Sequence, residues 1–349
     1  MIDAASADLH KTPPSVTHKK RLAPSGDPHD YVSLRRYYWP NPDSADGFPW
    51  REKDGITNPL IHEYDRTPLG EMADRVKRLS LAYFLTGEDA FGEKSAELLK
   101  TWFFNPVTRM NPNMTYASYV PGTEPWDGNG IINGVQLIRV VESIGLLWGT
   151  PLFSESEKTR LQNWFRDFRT WLLTSMNGQA EQRADNNHGL WFDAQIASFS
   201  FFCDEPEFIK SYVETYTLPR IGRQIEPDGR MPREMERTLG LHYIEYALNA
   251  LLDIASYTLV GGVDLWNYEA PNGGSIKRVV AFALPYFLDP AAWPYQQIKE
   301  FQAGKCAAHL YRIGRHTDQP ALREQAKQLA GLDKISPHTL LVNGMWDLV

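Results

Sequence analysis

The stretch LGEMADRVKRLSLAYFLTGEDAFGEKSAELLKTWFF, Leu69 to Phe104, decides the fold. Met72, Val76, Leu79 and Tyr83 return every three or four residues, the apolar stripe of an amphipathic helix with a 3.6-residue period. Thr86-Gly87 stops that helix and Glu88-Asp89 opens the next, with acids where free helix N–H groups favour negative charge. The result is a long helix, a short turn and a second long helix. Working outward, the same pattern recurs at about 130–149 with 154–176, 188–203 with 207–222, and 234–260 with 274–287, with a weaker pair over roughly 294–331. Strand signals are few: no sustained apolar-polar alternation and no Asn-Gly between two such runs. The chain therefore reads as all-α, a ring or solenoid of paired helices.

Residues 1–28 are polar and Pro-bearing and read as an extended arm, leaving 29–349 as one domain. From His29 to Pro59 aromatics alternate with Pro, Gly, Asn and Asp, which is loop chemistry. A second long loop, 105–129, lies between hairpins and is expected to border a site.

With 349 residues and 42% hydrophobic content the chain can bury a large core. A net charge of -7 argues against a general nucleic-acid binder, so an anionic ligand has to be met by local arginines. The longest apolar runs are interrupted by Asp, Arg or Gly, and no membrane span is expected. Cys203 and Cys306 fit no metal or CxxC spacing; they read as small buried residues, with a single bridge left open. The first twenty residues lack a basic start and an apolar h-region, while Ala5-Ser6-Ala7 resembles the small-residue tail of a signal cleavage site. Eleven Trp and sixteen Tyr supply more amphipathic rings than usual; most belong in the core, and a surplus suits a sugar-stacking cleft.

Two stretches could carry chemistry. EQRADNNHGLWFDAQIASFSFF, Glu181 to Phe202, places Asn186, Asn187 and His188 at the mouth of an apolar helix. Asn186 reads as the N-cap. One cap needs one such residue, which leaves Asn187 and His188 without that explanation. The positive end of the helix favours a neutral imidazole, the form a base needs, and attracts a bound carboxylate. PREMERTLGLHYIEYALNAL, Pro232 to Leu251, holds Arg233, Glu234, Arg237, Tyr243 and Tyr246. On a continuous helix Arg237 and Tyr243 share a face only loosely. Both arginines could equally be salt-bridge partners of Glu234 or Glu236.

Together, NNHGLWFDAQ, REMERTLGLHY, GDPHDYVSLRRYYWPNP with its DGITNP, and TWFFNPVTRMNPNMTYA resemble the alginate lyase superfamily. The likeness to polysaccharide lyase family 38, whose members cleave alginate or glucuronan, runs from about Gly26 to beyond Leu251. It implies an (α/α) barrel, or toroid, of about five to seven hairpins with long loops over the cleft. It also places the family's catalytic Asn, His, Arg and Tyr on Asn187, His188, Arg237 and Tyr243. Substrate-binding candidates are Tyr37, Tyr38, Trp39, Trp126, Asn186, Trp191 and Arg233. Trp191 has core packing as its plain alternative, and Tyr37-Tyr38-Trp39 a plug at the barrel end.

The implied activity is metal-independent β-elimination on a 1,4-linked polyuronate, with no cofactor and an acidic polysaccharide or oligosaccharide as partner. Asn187 and Arg237 would hold the C5 carboxylate while charge builds on it. Tyr243 would act as base and acid, with His188 assisting or serving as base where H5 and O4 lie on opposite ring faces. Neither nucleic acid nor membrane is expected as a partner, a monomer is favoured, and the place of action is periplasmic or secreted. Two other readings compete: an (α/α) glycoside hydrolase using a carboxylate pair from Asp127, Asp185, Glu234 and Glu236, or a polyuronate-binding protein without turnover.

Overall fold

The computed structural model describes residues 1–53, 56–124 and 128–332. The chain is all-α, and it divides into two compact units, Met1–Arg183 and Ala184–Val349. The boundary falls inside what the sequence presents as one domain.

The first unit contains α1 (Ile2–Leu9), α2 (Arg66–Thr86), α3 (Asp89–Phe103), α4 (Val135–Leu147), α5 (Glu155–Thr174) and α6 (Met176–Gln182). The opening stretch forms the α2–α3 hairpin as its pattern requires. Met72, Val76 and Leu79 are fully buried, and Gly87 ends α2 in the left-handed region at φ 72°, a conformation glycine adopts without steric cost. Helix α5 starts with a capping box, Ser154 and Glu157 each accepting from the other's backbone N–H. α4 lies against α2.

The first 28 residues are not an extended arm throughout. α1 packs on α2 because Asp8, fully buried, meets Arg78 at 2.7 Å and Lys11 at 2.8 Å. Arg75 also donates to the carbonyls of Lys11 and Thr12. Lys19 is likewise buried, 3.0 Å from the Asp65 carboxylate. Buried ion pairs explain how so polar a segment packs on the first unit where its composition reads as an extended arm.

Short strands occur in both loop regions. Val32–Leu34 (β1) pairs in parallel with Tyr116–Tyr119 (β4), and Tyr38–Trp39 (β2) pairs antiparallel with Arg51–Glu52 (β3). Segments of two to four residues give too few alternations to register as a pattern. Gly128–Leu147 has the length and mean hydropathy (1.4) of a membrane span despite its interruptions, but 67% of its apolar window is buried in the protein. It is a core segment.

The second unit contains α7 (Asn187–Phe202), α8 (Pro206–Tyr212), α9 (Leu218–Gln224), α10 (Pro232–Met235), α11 (Gly240–Thr258), α12 (Ile276–Leu288), α13 (Cys306–His316) and α14 (Pro320–Leu332). Helix α7 is buried on every side from Gly189 to Ser200, as expected of a helix without a polar face. It packs against α11 and α8, and α11 also meets α12 and α13. Cys203 and Cys306 are buried free thiols.

Candidate active site

Helix α7 begins at Asn187 because Asn186, extended at φ -141°, accepts the His188 N–H at 3.0 Å. That is the bond an N-cap makes. The chain before the helix is held by a buried ion pair. Arg220 donates to Asp193 at 2.9 Å and to the Ala184 carbonyl at 2.6 Å, and Tyr212 donates to the same carboxylate at 2.8 Å. Gly189 fits under this clamp because a Cβ there would lie 2.1 Å from the Arg220 guanidinium and 2.2 Å from the Ala184 oxygen. No larger residue can occupy the position without moving the start of α7.

Asn187 and Glu234 are each 1% exposed, and they are bound to one another. The Asn187 backbone N–H donates to Glu234 Oε1 at 2.5 Å and its Nδ2 to Oε2 at 2.7 Å. Burial pushes the Glu234 carboxyl above the ordinary range, while the Asn187 hydrogen bonds and the nearby charges of Arg237 and His188 pull it back. His188 itself is half-buried.

The second stretch is not one helix. α10 ends at Met235 and α11 starts at Gly240, so Arg237 stands in the break between them. The break is braced by the segment around Gln297: Gly240 N–H donates to the Gln296 carbonyl at 3.1 Å and Ile298 N–H to the Thr238 carbonyl at 3.0 Å, around a Leu239–Gln297 bridge. Arg237 thereby folds over the first turn of α11. Its Nη2 donates to the Tyr243 hydroxyl at 2.9 Å, and its guanidinium carbon lies 4.1 Å from the Tyr243 ring centre. A cation that both caps the oxygen and covers the ring stabilises negative charge on that oxygen.

The starts of α7 and α11 are brought together by Glu234, which binds Asn187 and precedes Arg237 by three residues, and by the contact of Trp191 with Tyr246 at 4.9 Å. Asn187, His188, Arg237 and Tyr243 therefore share one locality. Among the described residues no group of three or more His, Cys, Asp or Glu side chains could hold a metal ion.

The remaining candidates are scattered. Arg233 is exposed, 3.9 Å from the Glu236 carboxylate. Trp191 is 2% exposed with Tyr246 against it, so its ring is core and presents no open face to a sugar; a helix buried all round leaves no free side for it. Tyr37, Tyr38 and Trp39 are half-buried in the first unit, where Arg35 covers Tyr38 and Lys53 covers Trp39, each at 5.1 Å. Trp126 and Asp127 lie outside the described residues. Of the other carboxylates considered for hydrolysis, Asp185 is 58% exposed and 3.5 Å from Arg223, and Glu236 is 67% exposed. The Glu234–Asn187 pairing carried no sequence signal, since 47 residues separate the partners.

The profile of the family described as alginate lyase matches residues 15–293. The chain belongs to the alginate lyase family. Among curated members of that family, alginate lyases of Pseudomonas syringae pv. tomato and of P. syringae pv. syringae strain B728a are 26% and 31% identical to it over 145 and 143 residues. Those matches take in 41% and 40% of this chain but only 37% and 36% of the relatives' own length. The crystal structure of an alginate lyase from Bacteroides ovatus superimposes with a TM-score of 0.90 at 32% identity, covering 98% of this chain and 91% of that one. Alginate lyase A1-III of Sphingomonas species A1 has a TM-score of 0.57 at 17% identity over 92% of this chain and 88% of its own, a likeness of fold. In this member of the alginate lyase family both polar stretches, NNH and REMER…HY, lie inside the matched region.

Proposed function

We propose that the protein is a polysaccharide lyase that cleaves a 1,4-linked polyuronate, alginate or glucuronan, by β-elimination. The observation that carries this reading is the Arg237–Tyr243 pair, a guanidinium stacked on a phenol and bonded to its oxygen. Elimination needs a base for H5 and an acid for the C4 oxygen. In mannuronate and glucuronate these lie on the same ring face, so one phenolate takes the proton and, as phenol, returns it to the leaving oxygen. Arg237 favours the phenolate. In guluronate the two lie on opposite faces, and His188 becomes the base with Tyr243 as acid.

A proton beside a carboxylate is hard to remove because the intermediate gains a second negative charge. Asn187 and Arg237 meet that charge with an N–H donor and a cation, at the start of a helix whose free N–H groups add to the same field. The hydrolase reading has less support, because both Glu234 oxygens are occupied by Asn187 and Asp185 and Glu236 stand in solvent among arginines.

The test is incubation with polymannuronate, polyguluronate and glucuronan while ultraviolet absorbance and reducing ends are followed together. Matching rises in both support the lyase, because a C4=C5 double bond absorbs. Reducing ends without absorbance point to hydrolysis, and neither signal to binding alone. Tyr243→Phe is expected to abolish turnover on all three polymers; near-normal rates would remove Tyr243 from the chemistry.

A further inference from the structure

We propose that Glu234 is a positioning residue that fixes which hydrogen of Asn187 meets the substrate carboxylate, an inference that rests on the lyase reading of Asn187. The two groups come from elements 47 residues apart, and the contact is bidentate: one carboxylate oxygen takes the Asn187 backbone N–H and the other its Nδ2. A carboxylate accepts and does not donate. The amide therefore turns Nδ2, not Oδ1, toward Glu234, leaving one Nδ2 hydrogen as the only donor the Asn187 side chain can offer a uronate. With both residues 1% exposed, no solvent competes for either group and the rotamer is fixed before substrate arrives.

The same residue also sets the place of Arg237, whose backbone N–H donates to the Glu234 carbonyl at 3.2 Å. One buried acid thus ties the donor amide on α7 to the turn that carries the cation. A cap role does not account for it, because Asn186 already serves the start of α7. Burying a carboxyl whose direct partners are amide N–H groups is costly, so bulk stability gives no reason to prefer it to a neutral amide.

Glu234→Gln separates positioning from space-filling. The volume is nearly unchanged and Oε1 can still accept the backbone N–H, but Nε2 now donates. Asn187 then satisfies it by turning Oδ1 inward, which moves Nδ2 away from its former place. The experiment is a cycle of Asn187→Ala, Glu234→Gln and the double variant, with kcat and KM on polymannuronate and the thermal midpoint of each. Glu234→Gln is expected to lower kcat about tenfold or more, with a smaller change in KM, and to add little further loss in the Asn187→Ala background. A kcat within about twofold of the parent, or losses that multiply in the double variant, overturns the inference. If Glu234→Gln does not fold, Glu234→Asp, which shortens the reach of the same carboxylate, is taken through the same cycle with the same expectations. Near-normal turnover by Asn187→Ala alone would instead strike at the proposed lyase role of Asn187.

Discussion

Arg237→Lys tests the proposed pairing of Arg237 with Tyr243 most directly, because it keeps the charge while removing the geometry. In the parent the guanidinium donates to the Tyr243 oxygen at 2.9 Å and covers the ring with its carbon 4.1 Å from the centre. An ammonium on a flexible stem cannot hold both contacts at once. A hydrogen bond to a charged group contributes about 1.5–3 kcal/mol, and a cation over a ring about 0.5–2 kcal/mol. Losing most of the first and part of the second gives about 2–4 kcal/mol, or roughly 30- to 1,000-fold in kcat/KM at about 1.4 kcal/mol per factor of ten. The guanidinium favours the phenolate over the phenol, so weakening its contact means that higher pH is needed to populate the base. The rising limb of the pH–rate profile is therefore expected to move upward in this variant. Initial rates of absorbance increase on polymannuronate, measured across pH for both proteins, give the profile. An Arg237→Lys enzyme whose rate falls but whose rising limb stays in place would refute the assignment of that limb to Tyr243 and leave Arg237 as a carboxylate holder only.

Three further outcomes are expected. His188→Ala should reduce cleavage of polyguluronate at least as much as cleavage of polymannuronate, measured as absorbance rates on the two homopolymers; the reverse order would remove His188 as the base for the opposite-face elimination. Trp191→Ala should cost about 3–5 kcal/mol of stability, as expected for emptying a core site of an aromatic ring, so any loss of activity should come with a fall in thermal midpoint; a large KM change without that fall would return Trp191 to the substrate. Lys19→Met should leave Asp65 buried without its cation. Burial holds the Asp65 carboxyl up at about 7 against the pull of Lys19 and the Val32 N–H, and a folded-state value above the unfolded one means stability lost as pH rises through it. The deficit of this variant, about 3–5 kcal/mol for a broken buried pair, should therefore be largest above pH 7 and shrink toward pH 5. Thermal midpoints across that range check it, and a deficit independent of pH would mean that the Asp65 charge is not involved.

How much of this was legible in the sequence depends on the range over which each feature is encoded. The α2–α3 hairpin is local: its stripe, its Gly87 stop and its acidic restart all lie within forty residues. The start of helix α7 could be placed to within a residue because an N-cap is a bond between near neighbours, Asn186 and His188. The features that escaped are those made by partners far apart in the chain. Asp8 reads as one more polar residue until Arg75 and Arg78 are folded against it. Trp191 is indistinguishable from a sugar platform until Tyr246 covers it. Glu234, grouped by spacing with Arg233 and Arg237, answers instead to Asn187.

The break between α10 and α11 shows where periodicity misleads and chemistry corrects it. On an uninterrupted helix two residues six apart are about 120° apart round the axis and about 9 Å apart along it, so Arg237 and Tyr243 would share a face only loosely. The apolar pattern of 234–260 gives no reason to interrupt that helix. The proposed roles do give a reason, because Arg237 at the C5 carboxylate and Tyr243 at H5 and O4 of the same sugar call for a chain that turns between them. The turn is present at 236–239 and is braced by backbone bonds to Gln296 and Ile298, residues outside the apolar pattern that defined the hairpin. The loop near 297 thus braces the turn that sets the Arg237–Tyr243 geometry, and on the proposed mechanism its contribution would appear as a change in kcat.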